Sequence, residues 1–213
     1  MAITRLGGAN AISGTIPQGN IANSSLGAVT ALPAAIDTGA LILIKTQTAS
    51  NVSEVIFDHG TSDVVFDNTY AQYVLRCSNV YGASNNVYPQ ILLRASGTTK
   101  GGDYRVQGRY TRYDGSSESA GDYSHPGDLF QSIGSVRNTN TEYFHSMTTF
   151  SNIGIASRRA SSFSQATYKD NSGRQYMDIQ SGASDTDGTW NGFKIQMNSG
   201  NIYGIFSLYG VTK

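Results

Sequence analysis

From Ala40 onward, short apolar or strictly alternating runs are divided by clusters of Gly, Asn, Asp and Ser. A period of two cut by turn formers is the pattern of β-strands joined by tight turns. It predicts strands over 41–49, 52–57, 64–66, 70–80, 88–96 and 103–114, and then over 129–137, 141–150, 153–160, 163–169, 174–181, 189–197 and 202–211. The run LILI at 41–44 is continuously apolar, as in a strand covered on both faces. Tyr73, Leu75 and Cys77 share one face of the next long strand. In 103–114, Tyr104, Val106, Gly108 and Tyr110 face one way, and Arg105, Gln107, Arg109 and Thr111 the other. Pro89 suits a strand start because it lacks a ladder donor. The stretch GSSESAGDYSHPGD (115–128) has the densest turn chemistry and is expected as a large surface loop. No sustained helical stripe with a capping box follows residue 40. Many short strands at this spacing predict an all-β fold: an antiparallel two-sheet sandwich of jelly-roll type.

Residues 1–39 break that pattern. Gly, Ala, Ser, Thr and Asn dominate there, Arg5 and Asp37 are the only charges, and the first aromatic residue of the chain is Phe57. Such a composition cannot fill a core of its own. Ile3, Leu6, Ile12, Ile16, Ile21, Leu26, Val29, Leu32 and Ile36 nevertheless recur as single apolar pegs between small residues. The expectation is an extended N-terminal arm over 1–39 that docks on a partner and serves as an assembly anchor, followed by a sandwich domain over 40–213. A flexible leader is the plainer alternative. Fully extended, the arm could reach on the order of 120 Å.

The 15 basic and 15 acidic side chains cancel, so no global field draws the chain to nucleic acid or to an anionic membrane. The opening residues lack the pattern of a secretory signal, and no apolar run is long enough to span a bilayer; synthesis in the cytoplasm is expected. Cys77 is the single cysteine, which excludes an intramolecular disulfide and reads as a buried small hydrophobe.

Motif-grade chemistry is absent from the sequence, which predicts a protein that is not an enzyme and uses no cofactor. No G-x-S-x-G elbow occurs. His59 and His125 fall in turns, and His145 lies opposite Phe144 on its strand. The glutamates Glu54, Glu118 and Glu142 do not declare a glycosidase pair. Asp185, Asp187 and Gly188 form only a fragment of a calcium loop, read as an Asp-Gly turn, and Asp58, Asp63 and Asp67 are read the same way. Tyr104, Tyr110, Tyr113 and Tyr123 flank the expected long loop, either as a glycan-contacting surface or as structural and subunit packing.

Three stretches carry a family resemblance: the N-terminal MAITRLGGANAISGTIPQGNIANSSLGAVTALPAAIDTGALILIKTQTAS, the central SDVVFDNTYAQYVL and the closing FKIQMNSGNIYGIFSLYGVTK. The chain resembles small virion structural proteins of tailed bacteriophages, especially marine ones. The likeness covers both ends and the first core strands, while 115–170 is individual to this chain. It implies a jelly-roll-like body fixed to a particle by its arm, as in capsid decoration or cement proteins, head fibres and tail-fibre-like adhesins. The implied partners are further copies of the chain, as a homotrimer, together with the major capsid protein or tail- and portal-associated virion proteins. In the adhesin alternative, sandwich loops bind host surface glycans. The implied location is the virion.

Overall fold

The structure is a computed structural model that describes residues 41–101, 104–115, 117–125, 127–131, 135–136, 138 and 143–213. The chain divides into Met1–Asp37 and Thr38–Lys213, and the fold that follows is that of the second unit. The nine apolar pegs of the N-terminal segment lie outside the described residues.

Among the described residues every regular element is a strand, and all pairings are antiparallel. One sheet has eight strands. In spatial order these are β1 (Leu41–Val52), β13 (Ile202–Val211), β3 (Gln72–Gly82), β9 (Phe144–Ser151), β10 (Ser161–Lys169), β11 (Gln175–Ser184), β6 (Tyr104–Tyr113) and β7 (Glu118–His125). The other sheet runs β2 (Glu54–Asp58), β12 (Gly192–Met197), β4 (Pro89–Ala95) and β5 (Thr98–Thr99), and β8 (Phe130–Gln131) also pairs with β4. The two sheets pack face to face as a sandwich.

Alternation decides which side chains fill it. Along β9 the sequence FHSMTTFS buries Phe144, Ser146, Thr148 and Phe150 and turns His145 and Met147 outward. Along β11, Tyr176, Asp178 and Gln180 point in while Met177 and Ile179 point out. The apolar inner faces meet through aromatic rings, with Phe150 of β9 stacked on Phe193 of β12 at 4.6 Å. Phe57 and Phe66 pack on the same Phe193 ring. Fully burying each such ring stabilises the sandwich by roughly 2–3 kcal/mol relative to exposure.

The expected alternation holds for β3 and β6, and β4 starts at Pro89 as anticipated. Four expectations are corrected. The stretch 115–128 contains a real strand, β7, in register with β6 from Tyr113↔Glu118 to Val106↔His125. Turn-forming residues are tolerated there because the pair is cemented by rings lying over glycines, as described below. Residues 64–66 form no strand; Val64 and Phe66 are plugs delivered to the core from a turn. The 153–160 segment is likewise a turn, with Asn152, Gly154 and Ser157 at positive φ. Finally, the LILI run belongs to an edge strand: Leu41 and Leu43 are each 54% exposed, because β1 pairs only with β13 in this sheet.

The C-terminal sequence Ser199-Gly200-Asn201 makes the β12–β13 turn, with Gly200 at φ 77°. Asn201 donates from Nδ2 to the Asn51 carbonyl at 3.0 Å, pinning the irregular end of β1 where its register with β13 shifts between Ala49 and Val52.

Candidate interaction surfaces

The eight-stranded sheet turns its outer face away from the core, and its register sets that face in rows. One row crosses every strand: Thr46, Ser207, Arg76, Met147, Gln165, Ile179, Arg109 and Asp122. Met147 and Ile179 flank Gln165 from either side, and Phe163 lies two residues along the same strand on the same face. Met147, Phe163, Met177 and Ile179 are 49%, 47%, 51% and 39% exposed. Four large apolar side chains grouped at the middle of a sheet are more than the scattered surface apolars every protein carries.

A shallow trough of about 640 Å³ runs across this face from Leu41 on β1, past Arg76 and His145, to Met177 on β11. A second trough of about 490 Å³ shares Thr167 and Met177 with the first and continues to Tyr113 and Glu118 on the far side. Together they cross the sheet from edge strand to edge strand. The walls combine thioether and aliphatic groups with polar ones, among them Arg76, His145 and Gln165 in the first trough and Arg112, Glu118 and Gln175 in the second.

The four tyrosines singled out from the sequence do not share one surface. Tyr104 is buried; its hydroxyl donates to the Lys100 carbonyl at 2.5 Å and accepts the Leu93 N–H at 2.8 Å. Tyr110 is half-buried against Tyr176 and Tyr123. Tyr123 lies across Gly108 and donates its hydroxyl to the Asp178 carboxylate at 2.5 Å. Burial, followed by the neighbouring Asp178, pushes the Tyr123 phenol well above its ordinary value. Only Tyr113 among the four is exposed, at 51%. It is the one available to a ligand, and its hydroxyl donates to the Gly115 carbonyl at 3.0 Å.

Asp178 is fully buried on β11 and also receives the Tyr168 hydroxyl at 3.3 Å. Nothing in the sequence singled it out, because alternation within QYMDIQ places it inward only once the strand's facing is known. The paired signals, Tyr123 opposite Gly108 and Tyr110 opposite Gly121, are legible only when the register is in hand.

Of the acidic residues weighed for metal binding or catalysis, Asp58, Asp67, Asp185, Asp187 and Glu54 are engaged with the protein itself. Asp185 pairs with Arg105, and that hydrogen bond holds its carboxyl below the usual range. Asp187 pairs with Arg159 at 3.2 Å. Asp58 accepts from Arg94 Nε at 2.9 Å, and the same guanidinium bonds Thr99. Asp67 accepts from the hydroxyl and backbone N–H of Thr69, which lower its pKa. Glu54 pairs with Lys194 at 2.9 Å. His59 Nδ1 accepts the Phe66 N–H at 3.0 Å, and His145 Nδ1 accepts the Asn79 N–H at 3.4 Å. The His125 side chain and Glu142 lie outside the described residues. Among the described residues no three metal-binding side chains gather.

Cys77 is buried beside Ser146, and burial pushes its thiol up to about 12, with the Ser146 hydrogen bond acting the other way. Comparison of the chain with protein-family models, with curated proteins and with solved structures gives no match.

Proposed function

We infer that this chain is a non-enzymatic structural protein of a bacteriophage virion, attached to the capsid or tail through residues 1–39 and stabilising or decorating the particle. The observation that carries this reading is the strand order. Within the larger sheet the run β1-β13-β3-β9, and within the smaller one β2-β12-β4-β8, interleave the chain between layers. This order supports reading the fold as an eight-stranded jelly roll, with β10, β11, β6 and β7 widening one layer, and that architecture recurs in capsid and lectin domains. Fold alone does not carry function. The second support is the N-terminal segment, whose isolated apolar pegs suit docking on other polypeptides. The third is that Asp58, Asp67, Asp185, Asp187 and Glu54 are committed to guanidinium, ammonium, hydroxyl or backbone contacts.

The protein works as a homo-oligomer in contact with the major capsid protein or with tail- and portal-associated proteins, and many weak contacts repeated on a particle make the attachment durable. Deleting residues 1–39 tests the reading: the truncated protein should fold but no longer co-purify with particles. Loading of the truncated protein at the normal copy number would overturn the anchor role. An adhesin role is favoured by one feature, the exposed Tyr113 at the end of the second trough. Glycan arrays probed with intact particles and with Tyr113→Ala particles decide it, since a glycan site there requires binding that the substitution removes.

A further inference from the structure

We propose that the outer face of the eight-stranded sheet is the surface on which a second copy of this chain packs, with Phe163 of each copy entering the trough of the other. Three observations carry it. First, knob and hole lie side by side on one face. Phe163, 47% exposed, is outside the trough wall, while Gln165, two residues along β10, lines it, a separation of about 6.6 Å. A twofold axis lying in the plane of the face, crossing the strands between those two positions, carries each Phe163 over the opposing trough. Such a contact is isologous and needs only this one patch.

Second, the area is adequate. Eight strands at about 4.8 Å spacing and about seven residues of shared strand length at about 3.3 Å each give a face of roughly 800 Å². That is the share each partner contributes to a standard stable interface, about 800 Å².

Third, the composition grades as an interface does. Met147, Phe163, Met177 and Ile179 occupy the middle, while Arg105 with Asp185 and Arg109 with Asp122 sit toward the β6–β7 side as exposed ion pairs. An apolar centre bordered by charged pairs on the β6–β7 side, with exposed Leu41 and Leu43 on the β1 side, shares part of the anatomy of a recognition surface, and methionines there adapt their shape to the opposing side chains. The chain's zero net charge leaves no long-range field to oppose self-association.

Sedimentation equilibrium on the full chain tests the proposal. The wild type should sediment with the mass of two copies at micromolar concentration. Phe163→Glu, which removes the knob, and Gln165→Trp, which fills the hole, should each weaken pairing by roughly thirtyfold or more, as central anchors do. Both sites are exposed, so circular dichroism spectra and melting should stay close to wild type, and Thr98→Glu on the other sheet should leave the dimer intact. A monomeric wild type, as would result if residues 1–40 or another ligand filled the trough, overturns the proposal. So does an oligomer that survives either face substitution. Particle loading is read separately, so a wild type that stays monomeric yet loads onto particles normally would sink this interface and leave the virion reading standing.

Discussion

Tyr123 places its phenol end over Gly108 on the neighbouring strand, so close that a Cβ at Gly108 would stand 2.4 Å from the ring carbon Cζ. The same hairpin repeats the device in reverse, with Tyr110 over Gly121 and a Cβ there 2.9 Å from the ring. Cross-strand pairs are the unit of sheet stability, and here two ring-on-glycine pairs hold together β6 and a β7 strand otherwise rich in turn formers. Gly108→Ala should therefore destabilise the protein by about 2 kcal/mol through overpacking, measured as a lower midpoint in urea with an unchanged slope. An unchanged midpoint would mean the ring is free to move away.

Arg94 joins three strands. Its Nε bonds Asp58 of β2 at 2.9 Å, its Nη1 bonds Thr99 of β5 at 2.9 Å, and its own position on β4 faces Gly192 of β12. Side-chain exposures of 11% for Arg94 and 21% for Asp58 make this a largely desolvated pair. Removing one partner strands the other charge, so Arg94→Ala should cost about 3 kcal/mol. Replacing both by apolar residues, Arg94→Met with Asp58→Leu, should cost less than the single change. Urea unfolding of the single and double variants checks the order, and a double variant less stable than Arg94→Ala would contradict it.

Asp170 closes the β10–β11 hairpin by accepting the backbone N–H groups of Ser172 and Arg174 at 2.9 Å each and the Arg174 guanidinium at 2.6 Å. Burial alone would raise its pKa, but the Arg174 side-chain and backbone bonds and the Ser172 bond outweigh it and leave the carboxyl below its ordinary 3.8. The unfolded chain then takes up the proton more readily than the folded one. The contribution of Asp170 is present in full above the ordinary value and is lost as pH falls through the lower folded value. Asp170→Asn should be less stable than wild type at neutral pH, with the gap narrowing in strong acid. Melting temperatures across the acid range measure this, and a gap that widened with acid would have the wrong sign.

The Cys77 thiol, raised to about 12 by burial, should be almost wholly protonated at pH 8 and inaccessible in the native protein. Labelling by a disulfide reagent should be slow in buffer, fast in denaturant, and limited by opening of the sandwich. Fast labelling of native protein would show that the β3–β9 region opens locally.

Several elements could be read without any coordinates because their cause is local. Period-two alternation in 103–114 or in YAQYVLRCSNV specifies which residues share a face, Pro89 marks a strand start, and Asp followed by Gly marks a turn. The β7 strand was not legible. Its evidence, tyrosine opposite glycine, exists only in the pairing between Tyr110 and Gly121 and between Gly108 and Tyr123. The same holds for Asp178, an unremarkable acid in a strand until the sheet sets it inside under two tyrosine hydroxyls.

By itself, then, the amino-acid order determined that this is a β protein of many short strands, that Cys77 and the alternating apolar positions would be covered, and that residues 1–39 are of another kind. Only the tertiary structure decided that the apolar LILI run is an exposed edge, that Tyr104 and Tyr123 turn inward while Tyr113 faces water, and that Phe163 stands beside a trough. The reason is physical. Facing within a strand follows from neighbours one and two residues away, whereas edge or centre, inner or outer, depends on which distant strands come to lie alongside, and no local pattern carries that information.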